Sequence, residues 1–234
     1  FNDVTLTGFT NVVSSFVNAT FSEVGVINID LKDANYGDNQ TIDAEAITVG
    51  RFTPAYYVQT IATVTDGGGQ VSELNGSLHN NHNSSIISTC NLDQTFAYIG
   101  QKDASNSAIG SLRYNTTPQL EITAYNQQGI VTTNYLGDFV KLEDTSVDVL
   151  APTTDTTAQG TDNNLLAMSG NINNGQIVQV NTGDGSVEYQ LSTADNFHYL
   201  RSAISQVEPF TSSIELIVNS IIDSDGISAN SMQN

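Results

Sequence analysis

The chain has 234 residues, enough for one large domain or two small β domains. Six Lys and Arg stand against 25 Asp and Glu, giving a formal net charge of −19. Such a surface repels nucleic acid and anionic membrane, which excludes phosphate-backbone binding as a main function. Charged residues are only 13% of the chain, so solubility rests on Asn, Gln, Ser, Thr and Gly, a composition associated with secreted or surface-exposed proteins.

Cys90 is the single cysteine, so no intrachain disulfide can form. No apolar run approaches the roughly 18 to 20 residues of a membrane-spanning helix. The text opens in strand-like residues at Phe1-Asn2-Asp3-Val4, without a basic region and apolar core. The expectation is a piece of a longer exported protein whose export signal lies outside it.

Strand signals are short and numerous. β-branched or aromatic runs broken by polar residues or glycine occupy 4–9, 11–21, 24–31, 46–52 and 56–65. They continue at 95–99, 120–125, 130–135, 139–142, 177–180, 187–191, 197–201 and 214–222. The clearest is Leu120, Ile122 and Ala124 alternating with Glu121, Thr123 and Tyr125, followed by a turn at Asn126-Gln-Gln-Gly129. Gly183-Asp-Gly185 reads as a hairpin turn. Helix signals are confined to single turns at 163–168 and 199–207. Long loops are expected at 66–88, at 101–117 (a loop or a bulged hairpin) and at 151–162, the last flexible and exposed. The pattern predicts an all-β fold of tandem immunoglobulin-like β-sandwich type. Residues 1–52 form an N-terminal β segment, a partial or packed sandwich, and residues 53–234 a sandwich with long loops, with the boundary near Arg51–Pro54.

Reactive signatures are absent from the text. There is no GxSxG elbow, Walker loop, HExxH or GxGxxG, and Gly67-Gly-Gly69 lacks the lysine of a phosphate cradle. Cys90 has no base in its signature and reads as a small buried hydrophobe or the partner of a cysteine elsewhere. His79-Asn-Asn-His82 has too few ligands nearby for zinc and reads as a polar loop, and His198 is expected to face outward. Asp223-Ser-Asp-Gly226 offers two carboxylates, Asp223 and Asp225, and a glycine bend, which suits Ca2+ and equally suits an Asp-rich β-turn, the preferred reading. Asp30, Asp33, Asp38 and Asp43 form a second acidic cluster, where Asp33 and Asp38 are candidate calcium ligands beside a preferred reading as a solvated loop. Arg51 and Arg113, rare cations, read as ion-pair or backbone-carbonyl anchors. The tyrosines read as core and strand-face residues.

Further text carries a resemblance. It comprises Phe21-Ser-Glu-Val-Gly25, Ala34-Asn-Tyr36, Val49-Gly-Arg-Phe-Thr-Pro54, and Cys90 with Thr95-Phe-Ala-Tyr98 and Gly100-Gln101. It runs on through Pro118-Gln-Leu-Glu-Ile-Thr-Ala124, Asn126, Gly129, Thr133-Asn-Tyr135, Gly137 and Phe139-Val-Lys-Leu142, then Phe197-His-Tyr199, Arg201, Pro209-Phe210 and Asp223-Ser-Asp-Gly226. In this order the pieces resemble the large C-terminal domain of MshQ-like proteins, a group linked to mannose-sensitive haemagglutinin type IV pili. The resemblance implies a cell-surface, pilus-associated or adhesin-like protein of a Gram-negative bacterium, and no catalytic residues.

The expected function is therefore a non-enzymatic extracellular module acting as a stalk or presenting domain. Its partners would be other domains or subunits of a surface or pilus assembly, with an unidentified cell-surface ligand, no nucleic acid and no membrane insertion. The alternatives are a filament-forming subunit assembling by strand pairing and, behind it, a carbohydrate-binding module, a reading weakened by the lack of tryptophan.

Overall fold

The computed structural model describes residues 20–36, 40–61, 63–65, 71–73, 77–80, 99–100, 112–211 and 214–229. These residues are all-β, with no α-helix among them. In chain order the strands are β1 (Gly25–Ile29), β2 (Lys32–Tyr36), β3 (Gln40–Asp43), β4 (Ile47–Phe52), β5 (Tyr56–Ile61) and β6 (Thr63–Thr65). Then come β7 (Val71–Glu73), β8 (Ser77–Asn80), β9 (Leu112–Thr116), β10 (Gln119–Tyr125), β11 (Val147–Leu150) and β12 (Thr154–Gln159). The last are β13 (Leu165–Asn171), β14 (Gln176–Asn181), β15 (Ser186–Gln190), β16 (Asn196–Tyr199) and β17 (Ile217–Ile221).

A four-stranded antiparallel sheet in the order β14-β15-β10-β5 forms the centre. The period-2 pattern of β10 sends Ile122 and Ala124 to one face, where they meet Val187 and Tyr189 of β15 and Tyr57 of β5. That face packs against Val147 and Val149 of β11 and Val218 and Ile221 of β17, with Tyr135, Leu142 and Leu191 closing the core. Burial of a side chain such as Ile122 contributes roughly 1.5–3 kcal/mol. The β14–β15 turn falls at 182–185, where Gly185 has φ +64° and lies so close to the Thr132 carbonyl that a Cβ would clash. At the other edge, the Tyr57 amide donates to the Ser228 carbonyl and Tyr57 bridges Ala229 in parallel, so the chain covers its own sheet there.

A five-stranded sheet, β12-β13-β16-β9-β8, carries a second buried group: Ala158, Leu166, Met168 and Phe197. Before both sheets stands a two-stranded ribbon. β1 pairs with β4 and β2 with β3, both antiparallel, so residues 25–36 and 40–52 run as the two arms of one long ribbon. Its foot is fixed by the Phe21–Phe52 ring contact at 4.9 Å, and by Glu23, which accepts from Thr133 Oγ1 and the Asn134 amide.

Several expectations change in the structure. Residues 130–135 form a tight turn with only Val131 bridged, because Tyr135 turns into the core and its amide donates to the Thr132 carbonyl. Residues 139–142 are not a strand: a 3-10 turn occupies Gly137–Phe139, and the Lys141 and Leu142 amides donate to the Tyr135 hydroxyl instead of a ladder. The supposed exposed loop 151–162 contains β12, whose buried Asp155 accepts the amides of Thr157 and Ala158 at a bulge. The supposed helical turn at 163–168 is a turn leading into β13, and 200–207 is irregular. β7 and β8 lie within 66–88, and β9 ends the 101–117 stretch. The expected strand at 4–9, residues 11–19 of the one expected at 11–21, and residues 95–98 lie outside the described residues, and residues 20 and 21 are not in a strand.

Candidate functional site around the Asp223 turn

The Asp223-Ser-Asp-Gly226 turn follows β17 and folds back on itself. Gly226 takes φ +83°, its amide donates to the Asp223 carbonyl, and Asp223 Oδ1 accepts the amides of Asp225 and Ile227 at 2.9 and 2.8 Å. Oδ2 of Asp223 accepts the Tyr57 hydroxyl at 2.6 Å. The Tyr57 and Tyr135 hydroxyls lie 3.0 Å apart. Tyr57 has one proton and places it on Asp223, so Tyr135 is the donor between the two rings. Tyr135 in turn accepts the amides of Lys141 and Leu142 at 3.1 and 3.3 Å. Burial, followed by the neighbouring tyrosine and carboxylate, pushes the Tyr57 hydroxyl far above its ordinary pKa, and burial also raises Tyr135. Both stay protonated, as donors must.

Asp225 pairs with Arg51 of β4, as the ion-pair reading of that arginine expects. The donor set therefore does not fit Ca2+. Both Asp223 oxygens already face N–H or O–H protons, and an arginine neutralises Asp225, whereas Ca2+ takes 6–8 oxygen ligands free to turn toward it. In the second acidic cluster, Asp43 pairs with Lys32 at 3.6 Å on the exposed ribbon and Asp33 stands opposite Ile42, while Asp38 lies outside the described residues. No group of three or more His, Cys, Asp or Glu side chains with metal-holding geometry occurs among the described residues.

The pairing of a buried aspartate with a tyrosine recurs. Asp155 accepts the Tyr199 hydroxyl at 2.6 Å while holding the β12 bulge. Asp195, fully buried, accepts the Asn173 amide at 2.7 Å, and the Tyr114 hydroxyl faces it without closing a bond of good geometry. Burial raises the Asp195 carboxyl above the usual range. The polar residues Asp155, Asp195 and their tyrosines were invisible as a set, because each pair joins positions far apart in the text.

His198 is buried, contrary to the outward expectation. Alternation does place it on the face opposite Phe197, but His198 is buried there together with Asn196, and burial lowers its pKa. Arg113 stands across from Asn196 on the same face. His79 lies in β8, and His82 and Cys90 lie outside the described residues. Tyr56 and Tyr125 stack at 5.5 Å on the outer face of the central sheet, and Tyr114 meets Phe197 edge-on.

Residues 23–234 match the family described as "DUF6701, third domain". No curated protein and no solved structure matches the chain.

Proposed function

The chain belongs to the DUF6701 third-domain family, and from that premise we propose that it is a non-enzymatic, immunoglobulin-like module of a bacterial surface protein. It serves as a stalk or presenting unit of the MshQ-like, pilus-associated kind. The ordered text from Phe21 to Gly226 supports the MshQ-like assignment. The stalk role draws on one observation above others: the buried carboxylates serve as internal fasteners. Asp223 ties the end of the described chain to β5, and Asp155 ties β12 to β16. Long-range ties of this kind resist separation of strands that are distant in sequence, as a unit transmitting tension between neighbours requires. Neither Asp223 nor Asp155 is free to act on a substrate, since each already accepts a tyrosine proton and backbone amides.

The test is surface labelling with antibodies raised against this chain. Intact cells carrying the natural protein should label, and deletion of these residues should reduce adherence while leaving secretion of the remainder intact. Labelling only after cell lysis would overturn the reading. Of helices long and apolar enough to cross a membrane, none occurs among the described residues.

A further inference from the structure

The segment 173–177, which leads into β14, is pinned by side chains at every second amide. Asn173 donates to Asp195 Oδ1 at 2.7 Å, Gly175 to the Tyr189 hydroxyl at 2.8 Å, and Ile177 to Asp144 Oδ1 at 2.8 Å. Tyr189 gives its own proton to the Asp144 carbonyl at 3.1 Å, which leaves its lone pairs for Gly175. Gly175 is buried, and a Cβ there would overlap the Gln190 carbonyl and the Tyr189 ring, so packing demands glycine. The residue before it, Asn174, is exposed. Packing has thus placed an Asn-Gly pair at the entrance to an edge strand; the sequence has another at 75–76.

Asparagine before glycine is prone to cyclise, because glycine has no side chain to shield its nitrogen and its backbone turns freely. We propose that Asn174 is a deamidation site gated by the bond from Gly175 to Tyr189. In the reaction the Gly175 nitrogen loses its proton and bonds to Asn174 Cγ. The Cγ–Nδ2 bond breaks, and Nδ2 departs with that proton as ammonia. Water then opens the succinimide at one of its two carbonyls, leaving aspartate or isoaspartate. A pocket of about 100 Å³ between residues 174–176 and 190–193 admits that water. While the Gly175 N–H points at Tyr189 the attack cannot begin. The nitrogen is buried, its proton is held away from base, and the pins at 173 and 177 keep the backbone from swinging it toward Cγ. Local opening of the segment lifts all three restraints. Isoaspartate adds a methylene to the main chain ahead of Gly175, which takes the Gly175 and Ile177 amides out of line with Tyr189 and Asp144. Deamidation therefore records how often the start of β14 has opened, and it leaves that strand looser than before.

Peptide mapping by mass spectrometry on the full chain, aged in mildly alkaline buffer, reads the site directly. Asn174 in the folded protein should convert at least about tenfold more slowly than in the same chain unfolded in urea. Tyr189→Phe strips the acceptor from Gly175, and Asp144→Ala frees the Ile177 amide from the surface without entering the core. Each should raise the folded-state rate at least about threefold while the amides of Ile122 and Val187 stay protected from exchange. Asp144→Asn, which keeps an oxygen for Ile177, should hold the wild-type rate. Equal rates in folded and unfolded wild type would overturn the proposal, as would an unfolded chain in which Asn174 does not convert. An unchanged rate in either variant that keeps the sheet intact would do the same. If Tyr189→Phe does not fold, Asp144→Ala decides alone.

Discussion

Tyr57 and Asp223 are 166 positions apart in the chain and 2.6 Å apart in space. That single bond ends a relay running from the Lys141 and Leu142 amides through Tyr135 and Tyr57 to a carboxylate. Each hydroxyl in it both donates and accepts, so neighbouring bonds polarise one another.

Tyr57→Phe removes the proton that Asp223 receives and the acceptor that Tyr135 uses. The cost is about 2 kcal/mol, since a buried polar group left without its partner loses more than the bond itself contributed. In a chain of this size the melting temperature drops by roughly 4–8 °C. Calorimetry of Tyr57→Phe checks it, and a drop under 1 °C would show that the relay adds nothing.

Asp195→Asn should change how stability depends on pH. The folded carboxyl is raised by burial, so the native state holds its proton more tightly than the unfolded chain. The stability tied to Asp195 is fully present below the unfolded value of about 3.9 and is lost as pH rises through the folded one. The asparagine variant keeps an acceptor for the Asn173 amide and loses that slope. Urea midpoints measured from pH 3 to pH 7 should therefore fall less on raising the pH in the variant than in wild type.

His198 carries the opposite sign. Burial lowers its pKa, so the unfolded chain takes up the proton first. Its contribution is present above about pH 6.5 and is lost as pH falls through the folded value. His198→Gln should flatten this acid-side loss between pH 6.5 and pH 5. An unchanged slope there would mean that the imidazole is hydrated enough to charge freely.

Arg51→Met breaks the pair with Asp225, yet the arginine side chain is 46% exposed. Solvent screens such a pair, so the expected loss is under about 1 kcal/mol and shrinks further in 1 M salt. A loss of several kcal/mol would instead place the pair in a dry environment.

Calcium and magnesium should raise the melting temperature equally, through screening of a −19 chain, and Asp223→Asn should leave that increment unchanged. A calcium-specific increment abolished by Asp223→Asn would reinstate the turn as a calcium site.

Strands with one face buried were legible, because alternation is a local property. β10 and β15 fall where Leu120 to Tyr125 and Val187 to Leu191 predict them, and the glycines at 183 and 185 mark the turn from β14 into β15. β12 was hidden because Thr and Asp dominate it: its register shifts between Thr154 and Gln159, and an aspartate serves the bulge that a loop would leave to water. Residues 130–135 misled for the converse reason. Their β-branched composition is spent on a turn that directs Tyr135 inward toward Tyr57, a contact 78 positions away that no local window contains. For the Asp223 turn, the text revealed the carboxylates and the glycine but not the protons already pointed at them.

The two margins of the central sheet are unlike. At Tyr57 of β5 the margin is occupied by Ser228 and Ala229 of the same chain, whereas β14 has no outer neighbour among the described residues. A lattice grown by strand addition needs two complementary margins, one to offer and one to receive. Among the described residues only the β14 margin is fully open, so addition through it joins two molecules about a twofold axis and then stops. Growth through this sheet therefore ends at a pair, whatever the other sheets contribute.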